Sequence, residues 1–193
     1  LRMMALAHRD QGRLPWARLF NPAIRLARDG FAISPRLFDF LGRFRRSATL
    51  SAEARALFYN ADGTPKPAGT VVRNPALAVF LEQLARRGPE HFYSGQNAVA
   101  IAGAVRNAPT NPAPMTEADI ASYQAKKRAP VCGLYREYRI CGMGPPSSGG
   151  TTVFAILKQL ERFRLRELGR DNPTSWHLIA ESMRLAFADR NKY

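Results

Sequence analysis

The sequence predicts an α+β protein in which helices dominate. Over residues 1–122, apolar side chains recur at helical spacing in several segments that are bounded by cap residues, Pro or Gly. From about residue 130 the apolar side chains alternate, and two long amphipathic segments follow. We find no internal repeat and no linker. We therefore expect one partial domain over 1–193, mainly helical over 1–122, with a hairpin and two long helices over 130–193.

The helices of the first region are recognised by their ends. Ser34 and Asn74 each precede a proline and an apolar run, and Thr116 precedes a short apolar segment. Each of the three is therefore expected to be an N-cap. Gly30 and Gly88 follow apolar segments and are expected to end helices.

Two segments between these helices have distinct compositions. Residues 62–72, DGTPKPAGTVV, are rich in turn-forming residues and predict a loop. Residues 94–108, SGQNAVAIAGAVRNA, predict a helix rich in small side chains. Because small side chains allow close approach, we expect this helix to pack tightly against a neighbour.

The stretch APVCGLYREYRICGMG predicts a β-hairpin that carries both cysteines of the chain. If Arg136 and Glu137 form a two-residue turn, Cys132 lies opposite Cys141, close enough for a disulfide. A three-residue turn would shift the register by one and separate the cysteines. Arg-Glu is not a favoured hairpin turn, so both registers stay open. A disulfide would indicate an oxidising compartment.

Two amphipathic helices follow the hairpin. The apolar face of the first contains Val153, Ile156, Leu157, Leu160 and Phe163. The apolar face of the second contains Trp176, Ile179, Ala180, Met183, Ala186 and Phe187. Each segment is therefore expected to form an amphipathic helix.

The formal net charge of +14 would suit a protein that binds nucleic acid or another anionic surface. The tightest clusters of cations are Arg43, Arg45 and Arg46; Lys126, Lys127 and Arg128; and Arg162, Arg164 and Arg166. These clusters are short, the other cations are dispersed, and no nucleic-acid-binding motif accompanies them. Nucleic acid is therefore disfavoured as a partner, and a basic anion-binding or nucleic-acid-binding module is kept as the alternative function.

The sequence shows no pattern typical of a membrane-spanning helix, a secretory signal or a metal site. No apolar stretch approaches the roughly 20 residues of a membrane-spanning helix, and no secretory signal is visible. The two cysteines lie far from the three histidines in sequence, so we expect no metal site and no cofactor. Both ends look truncated, because neither carries a helix-terminating signal.

The loop GPPSSGGTT, residues 144–152, lies between a predicted strand and a predicted helix, where phosphate loops and nucleophile elbows occur. A phosphate loop requires a lysine before the final Ser or Thr, and here Gly150 runs directly into Thr151. A nucleophile elbow requires Gly two residues before the serine, and Pro145 stands two residues before Ser147. The sequence therefore disfavours both.

A structural function for this loop agrees better with its composition. The prolines stiffen the exit from the strand, the serine hydroxyls can bind backbone groups, and the glycines allow close backbone approach. The free N-terminus of the following helix could also hold an anion or a carboxylate. Asp171 and His177 could complete a Ser-Asp-His set only if an elbow formed. His8 and His91 have no acidic or nucleophilic partner nearby in sequence.

Several segments, in the same order, resemble the large subunit of the gamma-glutamyltransferases, also called glutathione hydrolases. The most specific are GMGPPSSGGTTVFAILKQLERF and HLIAESMRLAFADRNKY. The segments GRLPWARLFNPAIRLARDGFAIS, GPEHFYSG and MTEADIASYQAKKRAPVCGLYREYRI support them. The resemblance covers essentially all 193 residues. It identifies the chain as the central part of that large subunit.

This resemblance implies an N-terminal-nucleophile hydrolase with a four-layer αββα core. The precursor of such an enzyme cuts itself into a large and a small subunit, which stay together as a heterodimer. A threonine at the start of the small subunit attacks gamma-glutamyl amides such as glutathione, with its own amine as base. Water or an amino acid then accepts the glutamyl group. For bacterial members, the resemblance implies a periplasmic or secreted protein.

Compared residue by residue, the family's catalytic groups all fall outside this chain, and its substrate-binding residues here are unknown. The chain is therefore expected to be inactive alone. The loop residues Ser147, Ser148, Gly149 and Gly150 are expected to hold the residues of the active site in place without contacting the substrate. A relative that acts on another amide, such as an acylase, and a catalytically inactive scaffold of the same family are further alternatives.

Overall fold

The computed structural model describes residues 1–45 and 51–192. It is helix-rich with two small sheets, which confirms the predicted α+β class. The chain divides into two compact units, Leu1–Ala125 and Lys126–Tyr193. Arg46 of the first basic cluster and the terminal Tyr193 lie outside the described residues. No helix among the described residues has the length and apolar character needed to cross a bilayer.

The first unit consists of helices and one short antiparallel strand pair. Its helices are α1 (Arg2–Gln11), a 3-10 helix (Trp16–Phe20), α2 (Asn21–Asp29), α3 (Pro35–Arg43), α4 (Ala52–Phe58), α5 (Pro75–Arg87), α6 (Glu90–Tyr93), α7 (Gly95–Arg106) and α8 (Glu117–Ser122). Its strands are β1 (Phe31–Ala32) and β2 (Val71–Val72). The prediction of a loop over 62–72 is therefore wrong at its end, where the two β-branched valines pair with β1.

The predicted helix ends of this unit are confirmed. The Ser34 hydroxyl and the Asn74 side chain each accept a hydrogen bond from the backbone N–H three residues on, at 3.1 Å and 3.0 Å. Thr116 forms a capping box in which its hydroxyl and the carboxylate three residues later each bind the other's backbone N–H. Gly30 and Gly88 end α2 and α5 with φ of 97° and 82°, a region that favours glycine.

The core of this unit includes the helix rich in small residues. Ala98 and Ala102 of α7 are buried against Tyr93 and Ile120. Because alanine keeps the backbone of α7 close to its neighbours, the aromatic ring and the isoleucine fill the space between α6, α7 and α8. The predicted close packing of residues 94–108 is confirmed.

The second unit is a hairpin followed by helices. Its elements are β3 (Val131–Tyr135), β4 (Tyr138–Gly142), α9 (Gly149–Leu160), α10 (Leu165–Leu168) and α11 (Pro173–Lys192). Of the two registers that the sequence leaves open, the hairpin has the one with a two-residue turn, which places Tyr135 opposite Tyr138 and Cys132 opposite Cys141. The two cysteine sulfurs are bonded, with Cα atoms 4.2 Å apart.

Helix α9 begins earlier than the sequence indicates. Its first residue is Gly149, two positions before the predicted start at Thr151, so both glycines of the loop belong to the helix. Leu160 of the predicted apolar face is buried, whereas Val153 at its other end is 51% exposed. The buried polar residue Thr152 lies one helical turn before Ile156, at the edge of this apolar face.

The predicted apolar face of α11 is buried only in part, at Ala186. The buried residues are Ser175, Ser182 and Ala186, while Trp176 and Met183 are 59% and 44% exposed. Helices α9 and α11 pack against each other, and the residues of α11 that are buried all have small side chains. Small side chains let two helix backbones approach closely, so the large apolar side chains point elsewhere.

Candidate functional site

The loop from β4 to α9 is a tight turn. The backbone N–H of Ser147 donates to the carbonyl of Gly144 at 3.2 Å, and the Pro145–Pro146 peptide bond is cis. The first helical hydrogen bond runs from the N–H of Thr152 to the carbonyl of Ser148 at 2.8 Å. The chain therefore passes from strand to helix within a few residues.

Only one of the two loop glycines is required by close packing. A Cβ atom on Gly150 would lie 2.7 Å from the carbonyl oxygen of Met143 and 2.9 Å from the carbonyl carbon of Gly142. A Cβ atom on Gly149 would meet nothing closer than the Ser147 hydroxyl, at 3.7 Å. The start of α9 thus packs directly on the backbone of β4 through Gly150.

The two serines of the loop have different environments. The Ser148 hydroxyl accepts a hydrogen bond from Nε of Arg190 at 2.6 Å, which joins the start of α9 to the end of α11. The Ser147 hydroxyl makes no hydrogen bond with any other described residue. Neither serine contacts a base, so neither is activated as a nucleophile.

The loop and the end of α11 line a cleft of about 860 Å³. Its polar lining residues are Ser147, Ser148, Thr151, Thr152, Asp189, Arg190 and Asn191. The two most specific motifs of the sequence, Pro-Pro-Ser-Ser-Gly-Gly and Ala-Asp-Arg-Asn, therefore meet in space. The cleft offers hydroxyls, one amide, one guanidinium and one carboxylate, a set that can hydrogen-bond a polar group but contains no histidine base.

The structure rules out a Ser-Asp-His set built on this loop. Ser148 lies beside Arg190 at the C-terminal end of α11, whereas His177 is near the beginning of the same helix. At 1.5 Å per residue, His177 and Arg190 are separated by about 20 Å along the helix axis. Asp171 precedes the helix. The nucleophile elbow is therefore excluded.

The other two histidines have structural contacts. Nε2 of His8 lies 2.8 Å from the carbonyl oxygen of Leu14, and its ring meets Trp16 edge-on. Nε2 of His91 lies 2.8 Å from Oε1 of Gln83. Over 1–45 and 51–192, no group of three His, Cys, Asp or Glu side chains is placed to hold a metal ion.

One carboxylate beside the hairpin has a shifted pKa. The Lys158 ammonium hydrogen-bonds the carboxylate of Glu161, and the backbone N–H of Arg136 in the hairpin turn donates to it at 2.5 Å. These contacts, that of Lys158 first, lower the pKa of Glu161 below its ordinary value of 4.5. Glu161 thereby connects the end of α9 to the tip of the hairpin.

The sequence did not mark four residues that shape this site. Phe154 of α9 packs on Gly133 of β3, and Gly142 of β4 meets Gly150. A glycine inside a strand often marks a close backbone approach, so both strand glycines carried a usable signal. Arg190 carried none beyond its place in the Ala-Asp-Arg-Asn motif, because its contact with Ser148 spans 42 residues.

Comparisons with known proteins agree on one family. A family model described as Gamma-glutamyltranspeptidase matches residues 1–193. The glutathione hydrolase proenzyme of Escherichia coli (strain K12) is 35% identical over 190 residues, which are 98% of this chain and 32% of that protein. The acylase ACY 1 proenzyme of Pseudomonas sp. (strain SE83) is 33% identical over 183 residues, 93% of this chain and 31% of that protein.

A solved structure agrees with these relatives. The crystal structure of Helicobacter pylori gamma-glutamyltranspeptidase matches with a TM-score of 0.88 and 35% identity, over 98% of this chain and 54% of that chain. The chain thus spans about a third of the length of the curated relatives and about half of the solved chain.

The fold is that of an N-terminal-nucleophile hydrolase, of which the chain forms a helix-rich part. Within this class of enzymes, the chain belongs to the gamma-glutamyltranspeptidase family. The resemblance inferred from the sequence is confirmed.

Proposed function

We propose that the chain is the central part of the large subunit of an enzyme that cleaves gamma-glutamyl amides, with glutathione as the typical substrate. The observation that carries this proposal is the family match over the whole chain, together with 35% identity to a glutathione hydrolase proenzyme. The layered arrangement of α9 on the hairpin suits the outer helix layer of an αββα core.

In the proposed reaction, the nucleophile is a threonine at the start of a small subunit made from the same precursor. Its hydroxyl attacks the gamma-glutamyl carbonyl while its free amine takes the proton. The amine of the substrate leaves with that proton, and an ester to the threonine remains. Water or an amino acid then attacks the ester and releases the glutamyl group. Backbone N–H groups stabilise the oxyanion in both steps.

The chain's own contribution is support of that site rather than chemistry. The serines of the loop contact no base, and the loop is held by Gly150 and by the Ser148–Arg190 hydrogen bond. The chain alone is therefore proposed to be inactive. The disulfide supports a periplasmic or secreted location, because such bonds persist in oxidising compartments.

The test compares this chain with the complete protein encoded by the same gene. Release of a chromogenic amine from a gamma-glutamyl anilide is measured for both, and a denaturing gel records self-cleavage. We expect amine release only from a complete protein that has split in two. A complete protein that does not cleave itself and releases no amine would favour the catalytically inactive scaffold. Amine release by the 193 residues alone would show that the nucleophile lies in this chain.

A second candidate, an acylase, is favoured by the 33% identity to the acylase ACY 1 proenzyme. It predicts self-cleavage as before but release of product from an acyl amide instead of the gamma-glutamyl anilide. Assaying both substrates with the complete protein separates the two candidates.

The basic binding module can be tested with the same protein. Many cations are engaged in ion pairs: Arg2–Glu90, Arg28–Glu82, Arg106–Glu117, Lys158–Glu161, Arg164–Glu167 and Arg184–Glu181. Binding to random duplex DNA that falls steeply with salt would support this module, and absence of binding would remove it.

The supporting role of the loop predicts a specific phenotype. In the complete protein, a Ser147→Ala, Ser148→Ala double variant should reduce the yield of self-cleaved enzyme, because the loop anchors the start of α9. The KM of the enzyme that does mature should stay within about twofold of the unchanged protein, since an effect confined to folding alters no substrate contact. Normal maturation with a large rise in KM would instead show that the serines contact the substrate.

A further inference from the structure

The β3–β4 hairpin has few features that fix its register. Within the described residues, its two strands pair only with each other, and an isolated two-stranded hairpin is marginally stable. The turn residues Arg136 and Glu137 are not those of a favoured two-residue turn, and Arg136 takes a φ of 53°, which is unfavourable for a side chain that is not glycine. The turn therefore does not determine the register by itself.

The register decides whether α9 can pack. Gly133 and Gly142 lie on the face of the hairpin that meets Phe154 and Gly150 of α9. A slip of one residue in either strand would turn that glycine away and place a neighbouring side chain on this face. Any Cβ at Gly142 would lie 2.5 Å from the Cα of Gly150, so a slipped hairpin cannot hold α9 as observed.

The disulfide is compatible with the packed register. Cys132 and Cys141 are directly opposite each other, and they lie on the face turned away from α9. Each is followed in sequence by one of the glycines on which α9 packs. The chain contains no other cysteine, so oxidation within one molecule has a single product.

We propose that oxidation of Cys132 and Cys141 fixes the register of the hairpin and thereby allows α9 to pack on it. Folding of residues 126–192 would then depend on the thiol–disulfide balance of the compartment, while the cysteine-free unit Leu1–Ala125 would not. The oxidant is a disulfide, either a small molecule or a protein. One cysteine thiolate attacks it, which forms a mixed disulfide and releases the first sulfur of the oxidant as a thiolate. The thiolate of the second cysteine then attacks the mixed disulfide and releases the other sulfur of the oxidant, so the oxidant is reduced to two thiols.

Amide hydrogen exchange on the 193-residue chain tests this proposal without reference to any enzymatic activity, so it can fail or succeed independently of the proposed function. The chain is refolded from denaturant either oxidised or in the presence of excess dithiol, and thiol titration confirms each state. For a loop closed over 9 residues, the loss of the cross-link should speed exchange at Ile140, Gly142 and Phe154 on the order of 50-fold. Amides of Leu84 and Ala102 should not change.

A Cys132→Ala, Cys141→Ala variant is the matched control. It should exchange like the reduced chain at the hairpin and should no longer respond to dithiol. Equal exchange at Gly142 and Phe154 in the oxidised and reduced chains would overturn the proposal, because the register would then be fixed without the bond. Equal acceleration in both units would overturn it as well, since the effect would not be specific to the hairpin.

Discussion

In the unit Leu1–Ala125, α3, α4, α5 and α8 each begin at a residue whose side chain accepts a backbone hydrogen bond, whereas α9 in the second unit does not. The N-cap of α9 is Ser148, and its hydroxyl binds Arg190 instead of the helix. The starts of these four helices are therefore specified by residues next to them in sequence. The start of α9 is specified by contacts with β4 and α11.

The two units also differ in which side chains they bury. Of the apolar side chains that are buried within the described residues, all but Leu160 and Ala186 lie in the first unit. The second unit buries the polar residues Thr152, Ser175 and Ser182. The first unit thus has a core of its own, and the second is held by close backbone approach and small side chains. Substitutions should therefore act through cavities in the first unit and through clashes in the second.

The largest expected effect is a cavity in the first unit. Leu84 is 2% exposed, so Leu84→Ala should lower the free energy of unfolding by about 3 kcal/mol. Leu77 lies on the same helix and is 44% exposed, so Leu77→Ala should cost less than about 1 kcal/mol at equal change in helix propensity. Urea unfolding measures both. Equal losses would show that the first unit lacks a distinct core.

The corresponding effect in the second unit is a backbone clash. Gly150→Ala should cost about 2 kcal/mol, because the new Cβ meets backbone atoms of β4 that have no rotamer to change. Gly149→Ala is the matched control and should change the free energy of unfolding by about 0.5 kcal/mol at most, since its Cβ has room. Urea unfolding followed by a probe in residues 126–192 separates them. If the two variants are equally stable, the contact of α9 with β4 is looser than the structure shows.

The difference in capping gives a smaller effect. Asn74→Ala should destabilise the protein by about 1 kcal/mol through loss of the cap of α5. Ser148→Ala should act only through Arg190, so a double-mutant cycle with Arg190→Ala should give a coupling of about 0.5 kcal/mol. Absence of coupling, with Ser148→Ala as damaging as Asn74→Ala, would make Ser148 an ordinary cap.

The smallest effect is a pH dependence at the hairpin tip. Because the pKa of Glu161 is lowered in the folded chain, its contribution to stability is complete above the ordinary value of 4.5 and is lost as the pH falls through the folded pKa. Carboxyl-carbon NMR should give a midpoint for Glu161 below 4.5. Lys158→Ala should raise that midpoint towards 4.5, because Lys158 is the main cause of the shift. A midpoint at or above 4.5 in the unchanged chain would contradict the contact.

Much of the fold could be predicted from local patterns. The caps at Ser34, Asn74 and Thr116 and the stops at Gly30 and Gly88 act within four residues of the helix end, so the sequence contains the whole interaction. The family resemblance followed from the order and spacing of longer motifs. The loop of residues 144–152 was likewise recognised as the turn from a strand into a helix.

The sequence by itself thus determined the class of fold, the family and five helix ends of the first unit, because these depend on neighbouring residues or on motif order. Only the tertiary structure decided the hairpin register, the buried face of α11 and the need for Gly150 rather than Gly149. Each of these depends on which backbone lies opposite, a distance in space that no local pattern records. The hydrogen bond from Arg190 to Ser148 is the plainest case, since it joins two motifs that the chain keeps 42 residues apart.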